Sequence, residues 1–226
     1  MNYNVLKEPW ISVETMNGEL KDVGICEALK SAHTLKRIAE PSPFIEYGIY
    51  RMLIAFVMDA YRFYDAEEMS ELYERGSFDM DIIDNYISDC QNKGDCFNIF
   101  DKERPFLQSS YNEEYDKEIT SIANLFHNLP GGNNDIHFDH RLESQHKYSA
   151  AYCAKGLCSA NLFCFGNRFR PASISGSSPL YVLIKGNNLF EELVFNCVEV
   201  NKEENNHSVW FNDVLVEPGK QIAKTS

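Results

Sequence analysis

The chain has no run of apolar residues near the ~20 that a membrane-spanning helix requires. Its first residues, Met1-Asn2-Tyr3-Asn4, carry neither the basic nor the apolar segment of a secretory signal. A cytoplasmic protein with no membrane partner is the expectation. Paired Cys-x-x-Cys elements are also missing. The seven cysteines are scattered at 26, 90, 96, 153, 158, 164 and 197, which reads as a set of reduced thiols rather than a disulfide or zinc framework. Basic residues are few: 21 Lys and Arg against 34 Asp and Glu, a net charge of −13. That balance argues against a non-specific nucleic-acid binder, whose phosphate contacts need a cationic surface. No P-loop, dinucleotide glycine fingerprint, Gly-x-Ser-x-Gly elbow or His-Glu-x-x-His motif occurs. The usual nucleotide-binding, hydrolase and zinc-protease signatures are therefore absent. There is no internal repeat and no low-complexity segment.

What remains is a globular composition. The 226 residues are 44% hydrophobic and 24% charged, enough for a real core. The charge is unevenly spread. Residues 59–118 hold 6 basic and 17 acidic residues, net −11, whereas residues 119–190 hold 6 and 3, net +3. The second block also carries His127, His137, His140 and His146. If any surface meets a polyanion, the sequence puts it there; a solvated acidic helix face explains the first block.

Periodicity predicts a mainly helical α+β domain with small antiparallel β elements, covering residues 1–212, and a frayed tail at 213–226. Trp10 to Thr15 alternates, and Asn17-Gly18 predicts a hairpin returning through Leu20 to Val23. Cys26 to Ile38 reads as a helix. Pro41-Ser42-Pro43 breaks it, with Ser42 as cap and Pro43 as first residue of a nearly all-apolar helix to about Tyr64. Acidic amphipathic helices follow near 66–74 and 79–90. Cys96 to Phe100 reads as a short strand, Asp101 to Arg104 as a turn, and Ile119 to Leu129 as a helix. A long polar loop runs to Lys147. Tyr148 to Cys158 reads as a helix, Leu180 to Ile184 as a strand and Leu189 to Cys197 as a helix, with Val209-Trp210-Phe211 a last apolar anchor.

Three constellations carry chemistry. His137, Asp139 and His140 have metal-ligand types at permissive spacing, which would suit a metal-dependent hydrolase; a hydrogen-bonded loop gives the same pattern, and no metal or other cofactor is expected. Gly131-Gly132-Asn133-Asn134 combines glycines that let backbone N–H groups approach phosphate with amides that read base edges; a helix-ending turn is the plain alternative. Phe165-Gly166-Asn167-Arg168-Phe169-Arg170 joins a glycine and an amide to two guanidiniums and flanking aromatics, suited to a minor groove or to phosphate. An ordinary turn with buried aromatics accounts for it equally well.

The order of several short motifs adds to this. Leu6-x-x-Pro9-Trp10-Ile11-x-Val13 opens the chain and the apolar helix follows. Then come Phe97-x-Ile99-Phe100-x-x-x-x-Pro105-Phe106-Leu107-Gln108, an Asn-rich loop, and the Gly/Phe loop before Pro179-Leu180-Tyr181-Val182 and Gly186-x-x-Leu189. Across most of residues 5–212 this resembles the N-terminal domain of CasA, the large subunit of the type I-E CRISPR surveillance complex, Cascade. The resemblance implies a non-enzymatic, antiviral-defense subunit. It would sit beside the protein capping the 5′ end of the guide RNA (crRNA) and the backbone proteins. It would survey double-stranded target DNA for the flanking motif (PAM), help start unwinding, and support recruitment of a helicase-nuclease. By position, the family's guide-RNA and target-recognition loop falls on Gly131 to His140, including Gly131, Gly132, Asn133, Asn134, His137 and Phe138. Its DNA-binding glycine loop falls on Phe165 to Phe169, giving Gly166, Asn167 and Arg168, with Arg170 beside them. A scaffold touching only guide RNA and protein is the alternative.

The chain departs from that family in its glycine loop, where Asn167 and Arg168 replace glycines, and in its unsuitable cysteine spacing for a zinc knuckle. Family members run to about twice this length and end in a four-helix bundle. The strand-separating wedge and a lysine contact lie there, so neither is carried onto this chain.

Overall fold

The computed structural model describes residues 1–92, 94–111, 122–126, 147–160, 162, 180–203 and 207–211. Strand β1 (Ile11–Thr15) is the middle of a three-stranded antiparallel sheet, between β2 (Leu20–Val23) and β3 (Leu35–Ile38). Gly18, at φ +82°, makes the hairpin turn that Asn17-Gly18 predicted. Ile11 faces Val23 and Val13 faces Lys21 in the β1–β2 register.

Helix α1 (Ile25–Lys30) is short, followed by a 3-10 turn (Ala32–Thr34) and then β3 (Leu35–Ile38). The helix expected across 26–38 is therefore wrong in its second half, and the reason is a β-bulge. Ile38 pairs with Val13 and Arg37 with Glu14, but Leu35 pairs with Thr15, leaving Lys36 extra. The bulge brings Leu35 and Ile38 to the same buried side, an i, i+3 spacing that imitates a helix face. It also delivers Lys36 and Arg37 together to Glu14, each at 2.8 Å. Lys36 and then Arg37 hold the Glu14 carboxyl below its ordinary range.

Helix α2 (Pro43–Tyr61) is the central element. Ile45, Ile49, Tyr50, Met52, Leu53, Phe56 and Val57 are all buried, so the sequence reading of an apolar axis stands. It ends three residues before Tyr64, where Arg62 turns left-handed at φ 52° and donates its N–H to the Met58 carbonyl. Pro43 starts the helix as expected, but the Ser42 side chain makes no capping bond.

Helices α3 (Ala66–Arg75) and α4 (Met80–Gln91) carry the acidic block. Both have Asp caps: Asp65 accepts from Glu68 N at 3.0 Å and Asp79 from Asp81 N at 3.0 Å. Glu67, Glu68, Glu71, Glu74, Asp81, Asp84 and Asp89 are exposed, the solvated face that the composition suggested.

Cys96 to Phe100 is not a strand. It meets the N-terminal segment through one bridge, Asn4 to Asn98, with Val5 N donating to Phe97 O and Ile99 N to Tyr3 O. The Asn98 carbonyl turns back into its own loop, accepting from Asp101 N and Phe106 N, each at 3.2 Å. Of the helix expected at 119–129, the described residues Ile122–Leu125 form a 3-10 turn. Helix α5 (Ala150–Ser159) and helix α6 (Leu189–Phe195) fall where the sequence put them.

Leu180 to Ile184 is also not a strand. Asn196 takes the place of a neighbour: its Oδ1 accepts from Ile184 N at 2.9 Å and its Nδ2 donates to Ile184 O at 2.8 Å. Trp210 is buried as predicted, and residues 213–226 lie outside the described residues. None of the six described cysteines is in a disulfide. Among the described residues, no helix is long and apolar enough to cross a membrane.

Candidate nucleic-acid interface

The motifs that mark the sequence turn out to be packing motifs. Trp10 is fully buried and donates its indole N–H to Val5 O at 2.8 Å. Phe97 and Phe106 are fully buried beside Phe56 and Trp210, with ring centroids 6.0–6.2 Å apart. Gln108 donates its amide to Ile99 O at 3.0 Å, and Asp101 accepts from Glu103 N and Arg104 N. These residues shape the core and hold no reacting group.

The residues singled out for chemistry lie elsewhere. Gly131, Gly132, Asn133, Asn134, His137, Phe138, Asp139 and His140, and Gly166, Asn167, Arg168 and Arg170, all lie outside the described residues. Among the described residues no group of three His, Cys, Asp or Glu side chains is placed to hold a metal.

The flanks of both segments are described: those of the first meet on α5, and those of the second meet just past its end and against α2. Ser149 caps that helix, accepting from Tyr152 N at 3.2 Å. Before the first segment stands Phe126; after it stand Tyr148 and Tyr152. Phe126 stacks on Tyr152 at 4.2 Å, and each lies 5.5 Å from Tyr148. The Phe126 ring lies directly over Gly156, where a Cβ would come 2.8 Å from it. So the chain leaves at 126 and returns at 148 to one aromatic cluster on α5. The second segment starts beyond Leu162 and is followed by Tyr181. The Tyr181 hydroxyl donates to Leu162 O at 3.0 Å, and its ring stacks on Tyr47 of α2 at 4.6 Å.

Two devices fix α5. One is backbone proximity to α2: a Cβ on Gly48 would stand 2.6 Å from the Cys158 carbonyl oxygen, so only glycine allows this approach. The other is an ion pair to the sheet. Lys155 Nζ lies 2.8 and 3.0 Å from the two Glu40 oxygens and donates to Ser12 Oγ at 2.9 Å. Ser12 in turn donates its hydroxyl to Asp22 at 2.6 Å, while its backbone N–H donates to Glu40 at 3.1 Å. Side-chain exposure is 14% for Lys155 and 2% for Glu40. Burial, with Glu40 adding to it, pushes the Cys158 thiol well up, so it stays protonated.

Sequence reasoning missed Lys155, Gly48, Gly156 and the Phe126–Tyr148–Tyr152 cluster. The signal for Lys155 was present: it is the lone charge between Tyr148 and Ala160. Two glycines inside helical patterns were the signal for close approach.

Comparison with known proteins places this arrangement. A model of the family described as CRISPR-associated protein Cse1 matches residues 4–225. The CRISPR-associated protein CasA/Cse1 of Thermus thermophilus is 31% identical over 210 residues, covering 89% of this chain and 41% of that protein. The crystal structure of Thermobifida fusca Cse1 superposes with a TM-score of 0.73 at 21% identity, over 92% of this chain and 42% of the other. A chain of a structure described as a CRISPR RNA-guided surveillance complex gives 0.79 at 18% identity, over 97% of this chain and 48% of the other. The last two likenesses are of fold. The chain spans less than half the length of each of these relatives.

Proposed function

The chain belongs to the CRISPR-associated Cse1 family, and on that premise we propose that it is a non-catalytic subunit of an RNA-guided surveillance complex that reads the PAM in duplex DNA. It helps start target unwinding and supports recruitment of a helicase-nuclease. Its partners are the crRNA, the protein capping the guide's 5′ end, the backbone subunits and double-stranded target DNA. Gly166, Asn167, Arg168 and Arg170 meet the DNA, and Gly131 to Phe138 meet the guide or the recognised target.

The observation that supports this reading is where the flanks of both segments are held: Phe126 and Tyr148 flank the first in the aromatic cluster of α5, and Leu162 and Tyr181 flank the second just beyond the end of that helix and against Tyr47 of α2. A reader of a groove needs its probes on firmly packed elements, and these two helices supply them. A net charge of −13 is compatible with the role, because base pairing with the guide reads the sequence and the rest of the complex supplies the positive channel. Minor-groove reading is degenerate, which suits short, permissive motifs.

The test is a complex assembled with Asn167→Ala and Arg168→Ala. Target-duplex binding weakens and its dependence on the flanking motif is lost, with assembly and thermal melting unchanged. Retained motif-dependent binding in both variants would remove the assignment of residues 165–170. Crosslinks from 131–140 and 165–170 to guide RNA alone, with none to duplex DNA, would replace it with a scaffold.

A further inference from the structure

Cys90 and Cys96 are buried thiols brought together by a tight turn. Cys90 sits in the last turn of α4, which ends at Gln91. Asn92 N then donates to Ser88 O, Gly94 N to Gln91 O and Cys96 N to Gly94 O, at 2.9–3.1 Å, so the chain doubles back at once. The Cys96 thiol reaches the Cys90 carbonyl, 3.7 Å away, and the two thiols are hydrogen-bonded to each other. Their exposures are 0% and 2%, yet Gln91, Asn92 and Gly94 between them are exposed. The two thiols are also unequal. Cys90 donates to Cys96 and holds the Cys96 thiol below its ordinary range against burial, and the Arg104 charge adds to this. The same bond, then burial, push the Cys90 thiol up. Burial raises the thiols of Cys26, Cys153, Cys158 and Cys197, so among the described cysteines Cys96 alone is tuned toward thiolate.

We propose that Cys90 and Cys96 are a reversible redox pair, which hydrogen peroxide oxidises to a disulfide that pins the end of α4 to the segment carrying Phe97 and Phe106. Cys96, as thiolate, attacks one peroxide oxygen. The O–O bond breaks, giving a sulfenic acid and a hydroxide that takes up the proton Cys96 released. The Cys90 sulfur then attacks the sulfenic sulfur, the S–O bond breaks, and the hydroxyl leaves as water with the Cys90 proton. Two thiols and one peroxide thus give one disulfide and two waters, the sulfurs supplying two electrons. A dithiol reductant reverses the change by exchange. Opening of the exposed turn between the two residues admits a molecule as small as peroxide. Once closed, the bond removes freedom from the open chain, so α4 and the Phe97–Phe106 segment separate less readily. The pair is independent of the nucleic-acid role proposed above.

The experiment uses the reduced full chain, treated with hydrogen peroxide, quenched with catalase, unfolded in N-ethylmaleimide and cut with trypsin. Cleavage after Arg75, Lys93 and Lys102 leaves one cysteine in residues 76–93 and one in residues 94–102. Peroxide joins these two peptides into a species two hydrogens lighter than their sum, and dithiothreitol separates them. The melting temperature of the oxidised chain rises by about 4 °C. Cys90→Ser abolishes both changes, and dimedone then traps the sulfenic acid on Cys96. The proposal is overturned if both peptides stay unlinked and alkylated while Cys26 or Cys153 is oxidised. It is equally overturned if Cys96 goes on to sulfinic acid with Cys90 still alkylated. Linked peptides with an unchanged melt would remove the pinning of α4.

Discussion

On the α4 side of the central helix a buried carboxylate, Asp59, gathers many partners; on the α5 side another, Glu40, has few. Asp59 Oδ2 accepts from Tyr86 OH at 2.6 Å and from Ser208 N at 3.0 Å. Its Oδ1 lies 2.7 Å from His207 Nδ1 and 3.6 Å from Arg62. Trp210 then donates its indole N–H to Tyr86 OH at 2.7 Å and receives Arg104 on its carbonyl. Those bonds knit α2, α4, residues 207–211 and the Phe97–Phe106 core into one block. Among the described residues Glu40 binds Lys155 and the Ser12 N–H, and that link ties the sheet to α5, before and after which the two candidate segments lie in the chain. The first side stabilises the molecule; the second aims it. A buried charge network with many members resists local opening, while α5 is held by one ion pair and by its close approach to α2 at Gly48.

Three measurements press on that contrast. Asp59→Ala has the largest expected effect. It leaves the buried Tyr86 hydroxyl and the half-buried Ser208 N–H without their acceptor and frees residues 207–211, at a cost of about 3–5 kcal/mol. Urea unfolding followed by tryptophan fluorescence reads this. At temperatures where the variant remains folded, duplex binding by the complex stays near that of the parent. If Asp59→Ala instead abolishes binding before it destabilises the fold, the division of labour is wrong.

Lys155→Met comes next, at about 2 kcal/mol, because Glu40 loses its cation but keeps the Ser12 N–H. It weakens duplex binding more than its stability loss explains, since α5 is no longer tied to the sheet. Adding Glu40→Leu removes the unpaired charge and restores stability, while binding stays impaired. Recovery of both together would show that α5 is held by packing alone.

A third effect, confined to alkaline pH, is a slope in stability set by two buried tyrosines, Tyr50 of α2 and Tyr86 of α4. Burial, then Glu192, raises Tyr50; burial, then Asp59, raises Tyr86. Both hold their protons more tightly folded than unfolded. Stability is therefore fully present below the ordinary tyrosine value of 10.0 and falls as pH rises past it, by about 1.4 kcal/mol per pH unit for each tyrosine. Denaturant melts across that range read the slope, and Tyr50→Phe removes its own share. An unchanged slope in that variant would show that Tyr50 ionises as freely in the fold as in the open chain.

Much of the scaffold was legible from periodicity. The hairpin at Asn17-Gly18, the apolar α2 and the two acid-faced helices each repeat one pattern long enough to be read locally. Three short segments were not. Leu35 to Ile38 imitates a helix because a bulge changes which side chains share a face. Cys96 to Phe100 and Leu180 to Ile184 have strand composition, but their backbone partners are a single bridge in one case and the Asn196 amide in the other. Ser42 had the right type to cap α2 and makes no such bond. The candidate residues at 131–140 and 165–170 were read from side-chain chemistry; the groups that hold their roots, Gly48, Lys155 and Phe126, carry no signature of that chemistry.

By itself the sequence determined the family, because its short core motifs occur in a fixed order, and it determined the helical scaffold, because burying an apolar face requires a regular period. Only the tertiary structure decided that Lys155 meets Glu40 across 115 residues, that Gly48 lets α5 touch α2, and that residues 126 and 148 return to one aromatic cluster. Such contacts depend on which distant groups can share one small volume, and no local pattern encodes that.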